Sequence, residues 1–418
     1  MFIKSLIYLI IFSTPLYLVH FSIFKIPTNL LEILIMLTFF IVLINFFKEK
    51  NNFSTFNIIS LRQFKKISIL PKETLFFIGS LLLILFGLII STLISDNNPQ
   101  SWGIIKSWFI IPILFGFLIK NNIKTISEKL FLLKIIFYSS GIVSIISIVY
   151  YFFNNILTYD NRLRGFYLSP NYLAMFLSPG LIIGLLQLFY PRLKRLREFS
   201  LKDVFDFILI IIIFISLYLT YSQGAWISVL FSLFLIINIK YLLLNFRKFI
   251  YFIFLFFIII FLIYYVSSNL KNSTFLPSAV YTTHSSTNSR LIIWQSTLKI
   301  LKDNWLWGVG PGNFQNNYLA YQKYFPPYQE WAVPQPHNLY LAFWIQSGIF
   351  GFVGFLILII FYFEKIFLEF NNLKNTKQKK LLLTLLAIMF IILIHGFIDT
   401  PIWKNDLALI FWAIVFLS

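Results

Sequence analysis

Two side chains in the stretch 269–337 can do chemistry: Arg290, in N-S-R-L-I-I-W, and His337, in P-Q-P-H-N-L-Y-L. An arginine offers a charged fork that suits phosphate or carboxylate, and a neutral imidazole can accept a proton from a hydroxyl. His337 follows Pro334 and Pro336, which stiffen its approach, and precedes a long apolar run. The positive end of a helix there disfavours imidazolium and favours the neutral ring. The alternative is a capping or interfacial histidine. Asn288 or Ser289 can cap a helix through Leu291, Trp294, Leu298 and Leu301, whose spacing places them on one membrane-facing side with Trp294 among headgroups. Arg290 then falls in the first turn, where a cation calls for a compensating anion. Otherwise it is a surface residue of an amphipathic helix.

Arg162 and Arg164 lie in D-N-R-L-R-G-F-Y-L-S-P-N-Y-L-A. Ser169 followed by Pro170 predicts a helix start, whose free N–H groups beside two guanidiniums suit phosphate. The competing expectation is an interfacial anchor or a pair with Asp160. In T-Y-S-Q-G-A-W, Gln223 can exchange hydrogen bonds and Gly224 suits a tight turn. His395 and Asp399 occupy H-G-F-I-D-T-P, where Asp399 and Thr400 before Pro401 more readily cap the last helix than act directly. Glu330 is a loop carboxylate without an identifiable partner. G-V-G-P-G-N-F, from Gly308, lacks the spacing of a nucleotide-binding fingerprint and reads as a rigid bend. Gly348, Gly351 and Gly354 recur every three residues and predict close helix packing.

The elements that position these residues are membrane helices. The 418 residues are 59% hydrophobic and 12% charged, against roughly 45–50% and 25% in soluble domains. The fold class is all-α, a polytopic integral membrane protein with about twelve transmembrane helices of roughly 20 residues. They fall near 5–22, 29–47, 74–95, 102–119, 130–152, 170–190, 204–220, 223–239, 249–267, 338–363, 381–397 and 402–418. The whole chain, 1–418, reads as one helical membrane domain with one large periplasmic loop, 269–337. The first apolar run lacks a small-residue cleavage site and reads as a retained helix. The absence of Cys excludes disulfides, thiolate metal sites and a Cys nucleophile. A net charge of +19 would suggest nucleic acid for a soluble protein. Here the Lys and Arg residues concentrate in alternate loops, such as those around Lys65, Lys124, Arg195, Lys248 and Lys379. By the positive-inside rule both termini are cytoplasmic and the long loop is outside, so the expected partners are membrane lipids and no nucleic acid.

The blocks G-F-Y-L-S-P-N-Y-L-A, T-Y-S-Q-G-A-W, S-R-L-I-I-W, W-G-V-G-P-G-N-F, P-H-N-L-Y-L-A-F-W-I-Q-S-G and D-T-P resemble, in order and spacing, the signature blocks of the O-antigen ligase and polymerase superfamily. The resemblance runs from about residue 160 to 418. It implies a metal-independent glycosyltransferase without a cofactor, at the periplasmic face of a bacterial inner membrane. The implied donor is a glycan on undecaprenyl diphosphate, and the acceptor is lipid A core or another glycan. By that similarity His337 matches the catalytic histidine, Arg290 the loop arginine that engages diphosphate, and Arg164 the arginine before the S-P-N helix. Arg162 and Gln223 join the expected diphosphate site, with Asn171, Asn338, His395 and Asp399 in support. The family commonly reads S-R-G where this chain has S-Q-G, so Gln223 keeps hydrogen bonding but lacks the charge. Chemistry agrees: arginines that neutralise a diphosphate leaving group replace a glycosidase's general acid, leaving His337 to activate the acceptor in one inverting displacement. The rival readings are a polymerase using the same donor, then a protein O-oligosaccharyltransferase. From another class, a lipid-linked glycan flippase is expected to carry ionisable groups at mid-membrane.

Overall fold

The computed structural model describes residues 2–23, 26–51, 72–96, 98–153, 157–158, 161–190, 200–239, 286–325, 332–373 and 375–418. The ninth expected span, 249–267, lies outside them, as do loop residues 269–285 and 326–331, and with them Asp160 and Glu330. Helix α1 (Phe2–Phe12) is followed by a short 3₁₀ turn and a hairpin of β1 (His20–Ile23) and β2 (Ile26–Asn29). Then come α2 (Leu30–Asn51), α3 (Lys72–Ile94), α4 (Asn98–Asn122), α5 (Ile126–Phe152), α6 (Pro170–Phe189), α7 (Leu201–Leu219) and α8 (Gln223–Ile237). After the undescribed stretch follow α9 (Ser286–Asn304), α10 (Phe314–Tyr321), α11 (Leu339–Asn371), α12 (Thr376–His395) and α13 (Asn405–Leu417).

Seven helices among the described residues are long and apolar enough to cross a membrane: α2 to α6, α11 and α12. Four of the remaining expected spans fall short of that length and composition for local reasons. Pro15 has no N–H to continue α1, so the run 5–22 breaks at Phe12. Helix α7 carries Lys202, Asp203 and Asp206. Helices α8 and α13 have 15 and 13 residues, about 20 Å at 1.5 Å per residue, against a hydrocarbon layer of ~30 Å. Helix α13 is buried almost throughout, as is α12, so the two form the middle of the bundle.

Two helix starts are explicitly capped, the first as the sequence predicts. Ser169 caps α6 by accepting from Tyr172 N at 3.3 Å with Pro170 next, and Thr125 with Glu128 forms a capping box on α5. Lys106 and Lys134, well inside expected spans, are both paired, Lys106 with Glu32 at 2.9 Å and Lys134 with Asp206 at 2.6 Å.

The glycine triplet does more than thin a packing face. Gly351 and Gly354 lie against α3, where an added Cβ at Gly354 would come within 2.8 Å of Ile84 N. Gly348, at φ 65 and ψ −175, is not helical and kinks α11. The bend at Gly308 fills that kink: Val309 N donates to the Ile345 carbonyl at 2.7 Å, and Ile349 N donates to the Leu306 carbonyl at 3.0 Å. Gly312 N adds a bond to Gln346 Oε1 at 3.1 Å. The loop thus supplies hydrogen bonds that the broken helix cannot make for itself. It also has a small apolar core, with Ile293, Ile300 and Leu301 of α9 packed on Phe314, Tyr318, Val333 and Ile345.

Helix α9 departs from its predicted start and face. It begins at Ser286, so Arg290 falls in the second turn, where the helix dipole is weaker and demands no anion. Leu301 is buried in the loop core while Leu291 and Leu298 face outward, 42% and 55% exposed.

Candidate active site

The start of α11 is bolted to the end of α12. Asn338 caps α11 by accepting from Tyr340 N and Leu341 N at 3.1 and 3.0 Å, and its amide donates to the Phe397 carbonyl at 3.0 Å. Leu339 N donates to the Gly396 carbonyl at 2.6 Å, and the Tyr340 hydroxyl to the Leu393 carbonyl at 3.0 Å. His337 immediately precedes this cap with φ 47, a left-handed conformation that few non-glycine residues adopt. Such strain persists only where neighbours over-determine it. One neighbour is Trp294 of α9, whose indole N–H donates to the His337 carbonyl at 3.2 Å.

Held this way, His337 Nδ1 lies 3.2 Å from Asp399 Oδ1. A carboxylate only accepts, so Nδ1 carries the proton of this contact and the neutral ring keeps its lone pair on Nε2. Asp399 is 2% exposed and also accepts from Thr400 N at 2.9 Å. It does not cap the last helix, which begins at Asn405 behind Lys404. Burial alone would push the Asp399 carboxyl up; the His337 ring and its hydrogen bond, with His395 and Arg290, hold it below the usual carboxylate range.

Arg290 stands one helical turn before Trp294, which places both on the side of α9 that meets His337. Its charge reaches Asp399 and His395. His395 is buried beneath Gly224, where a Cβ would approach its Cδ2 to 2.9 Å. Gly224 therefore makes room for the histidine; the turn itself is made at Tyr221, with φ 47. Gln223 is the first residue of α8 and its side chain is exposed.

Arg162 and Arg164 lie in the segment before α6. Arg162 Nε donates to the Thr220 carbonyl at 2.8 Å and its Nη2 to Asn171 Oδ1 at 3.0 Å. With Leu163 N on the Leu219 carbonyl at 2.9 Å, this pins the segment before α6 to the α7–α8 turn. Arg162 and Asn171 thus act on one another. Arg164 lies in the tight turn that Tyr167 N closes onto its carbonyl at 3.1 Å. Its Nε is buried, with no hydrogen-bond partner among the described residues.

Residues 208–356 match the O-antigen ligase family. This stretch of the chain is similar to that family. No curated protein matches the chain. The matched region spans most of α7, α8, the loop with α9 and α10, and the first half of α11, so it includes Gln223, Arg290 and His337. Arg164, His395 and Asp399 lie outside it. The family implies a glycan-transferring membrane enzyme acting on lipid-linked glycans.

Beside Asp399, the segment after α12 holds two buried charged residues that sequence reasoning passed over. Lys404 Nζ lies 3.6 Å above the Tyr172 ring and 5.1 Å from that of Tyr167, and its charge reaches both Asp406 and Asp399. Lys404 and Asp406 are 7% and 0% exposed. The available signal was W-K-N-D at the head of an apolar run, since a charge there needs a partner or a task.

Proposed function

We propose that the protein is an O-antigen ligase-like glycosyltransferase that moves a glycan from undecaprenyl diphosphate to a sugar hydroxyl of lipid A core. The reaction takes place at the periplasmic face of the bacterial inner membrane. The observation that carries this reading is the His337–Asp399 contact, which leaves Nε2 of a partly exposed imidazole to act as base. In the step, Nε2 accepts the acceptor's hydroxyl proton as its oxygen bonds to the anomeric carbon. The bond from that carbon to the diphosphate breaks, and undecaprenyl diphosphate leaves with the electron pair. Asp399 stabilises the imidazolium that forms, as in other Asp–His pairs. Arg290 and Arg164 neutralise the leaving diphosphate, with Arg162, Asn171 and Gln223 shaping its surroundings. A single displacement inverts the anomeric centre and forms no glycosyl-enzyme adduct.

The paired state of Lys106 and Lys134 supports transfer over transport, because neither is an unpaired charge at mid-membrane. The test is purified enzyme with lipid-linked glycan and either lipid A core or a second lipid-linked repeat. Product on lipid A core is the expected result. A ladder of lipid-linked product would make the protein a polymerase. Movement of donor between leaflets with no release of undecaprenyl diphosphate would overturn the reading in favour of a flippase.

A further inference from the structure

A cleft of about 280 Å³ opens between the β1–β2 hairpin, the start of α2, the first half of α4 and Asn405. Its wall is an indole fixed in place: Trp108 Nε1 donates to Asn405 Oδ1 at 2.9 Å, and the ring meets Trp403 edge-on at 6.1 Å. Its floor includes Glu32, 4% exposed, whose oxygens receive Asn29 Nδ2 at 2.8 Å and the Thr28 hydroxyl at 3.0 Å. The Glu32 charge is met by Lys106 at 2.9 Å. His20 closes one side, its Nδ1 2.8 Å from the Leu18 carbonyl. A carbonyl only accepts, so a neutral His20 presents Nε2 as an acceptor.

This combination selects a ligand class. Among the described residues no Lys or Arg lines the cleft, and the Glu32 carboxylate is met by Lys106, so neither an anion nor a cation gains by pairing with these residues. A flat aromatic face beside fixed acceptors and amide donors suits a neutral ring bearing several hydroxyls. The volume lies at the lower edge of the ~300–1,000 Å³ of small-molecule sites, which fits one sugar ring. Asn405 stands six positions beyond Asp399 on one short segment, so the cleft opens near the same end of the bundle as His337. Trp403 on that segment packs on Phe343 of α11 at 5.2 Å.

We infer that this cleft is a carbohydrate subsite that holds a neutral sugar ring of the acceptor glycan; the acceptor role, though not sugar binding itself, rests on the glycan-transfer reading. Gly103 provides the test, because it lines the cleft and a Cβ there meets nothing within 4 Å. In saturation-transfer NMR with the methyl glycosides of glucose and N-acetylglucosamine, the full-length wild type in nanodiscs should give signals. Gly103→Trp should abolish them, while Gly103→Ala and His337→Ala retain them. No signal in wild type, or an undiminished one in Gly103→Trp, overturns the subsite. Displacement of the sugar by inorganic pyrophosphate overturns its neutral character. In the transfer assay Gly103→Trp should raise the acceptor KM at least about tenfold with the donor KM unchanged. An unchanged acceptor KM overturns the acceptor role. A wild type that binds sugar but transfers no glycan would overturn the transfer reading and leave the subsite standing.

Discussion

In the proposed mechanism His337 acts as a base only in the tautomer that turns its lone pair to the substrate, and its contact with Asp399 favours that tautomer. Asp399→Asn keeps the shape and an acceptor for Thr400 N but removes the charge that steadies imidazolium. The expected loss in kcat is about 10²–10⁴-fold with little change in donor binding, measurable under saturating substrates. Arg290→Ala should lower kcat by about 10²–10³-fold through lost leaving-group stabilisation. Arg290→Lys should recover only part of this, because an ammonium lacks the guanidinium fork. Asp399 also sets a sign for pH. Its carboxyl is held below the usual range, so its contribution to stability is full above an unfolded value of about 3.9 and is lost as pH falls further. The difference in melting temperature between wild type and Asp399→Asn should therefore shrink as pH falls below about 4.

At the scale of elements, the kink in α11 and the loop that fills it are one unit. Gly348 occupies a conformation open to little but glycine, and a Cβ there would lie 2.4 Å from the Leu306 carbonyl. Gly348→Ala should destabilise the protein by at least about 1–3 kcal/mol and loosen the Gly308 bend, seen as a lower melting temperature and faster proteolysis in the loop. Gly103→Ala, which meets nothing, is the matched control. The triplet of glycines was legible in the sequence as a packing signal, and Gly351 and Gly354 pack on α3. The kink was not, because spacing records where side chains are small and is silent on the sign of φ. The S-P start of α6 was readable because its capping chemistry is local. The start of α9 was misplaced because Ser286, Thr287, Asn288 and Ser289 can each occupy a first turn. Asp399 was read as a cap because its contact with His337 crosses 62 positions.

For the molecule as a whole, composition specified a helical membrane protein, but span number depended on features hydropathy blurs. Pro15 cuts the first run, and α8 and α13 are short helices inside the bundle. The proposed orientation makes a direct prediction, helped by the absence of native cysteine. In intact spheroplasts a membrane-impermeant maleimide should label Ala320→Cys, on the loop, and should reach Lys377→Cys, in the first turn of α12, only after lysis. The reverse pattern would invert the topology and place His337 in the cytoplasm.

The most direct test of the central claim compares glycan transfer by wild type and His337→Ala, with binding of the lipid-linked donor measured on the same samples. General-base catalysis by His337 predicts a fall in kcat of about 10²–10⁴-fold with donor affinity retained. Full transfer activity in His337→Ala would remove the base, and the mechanism with it.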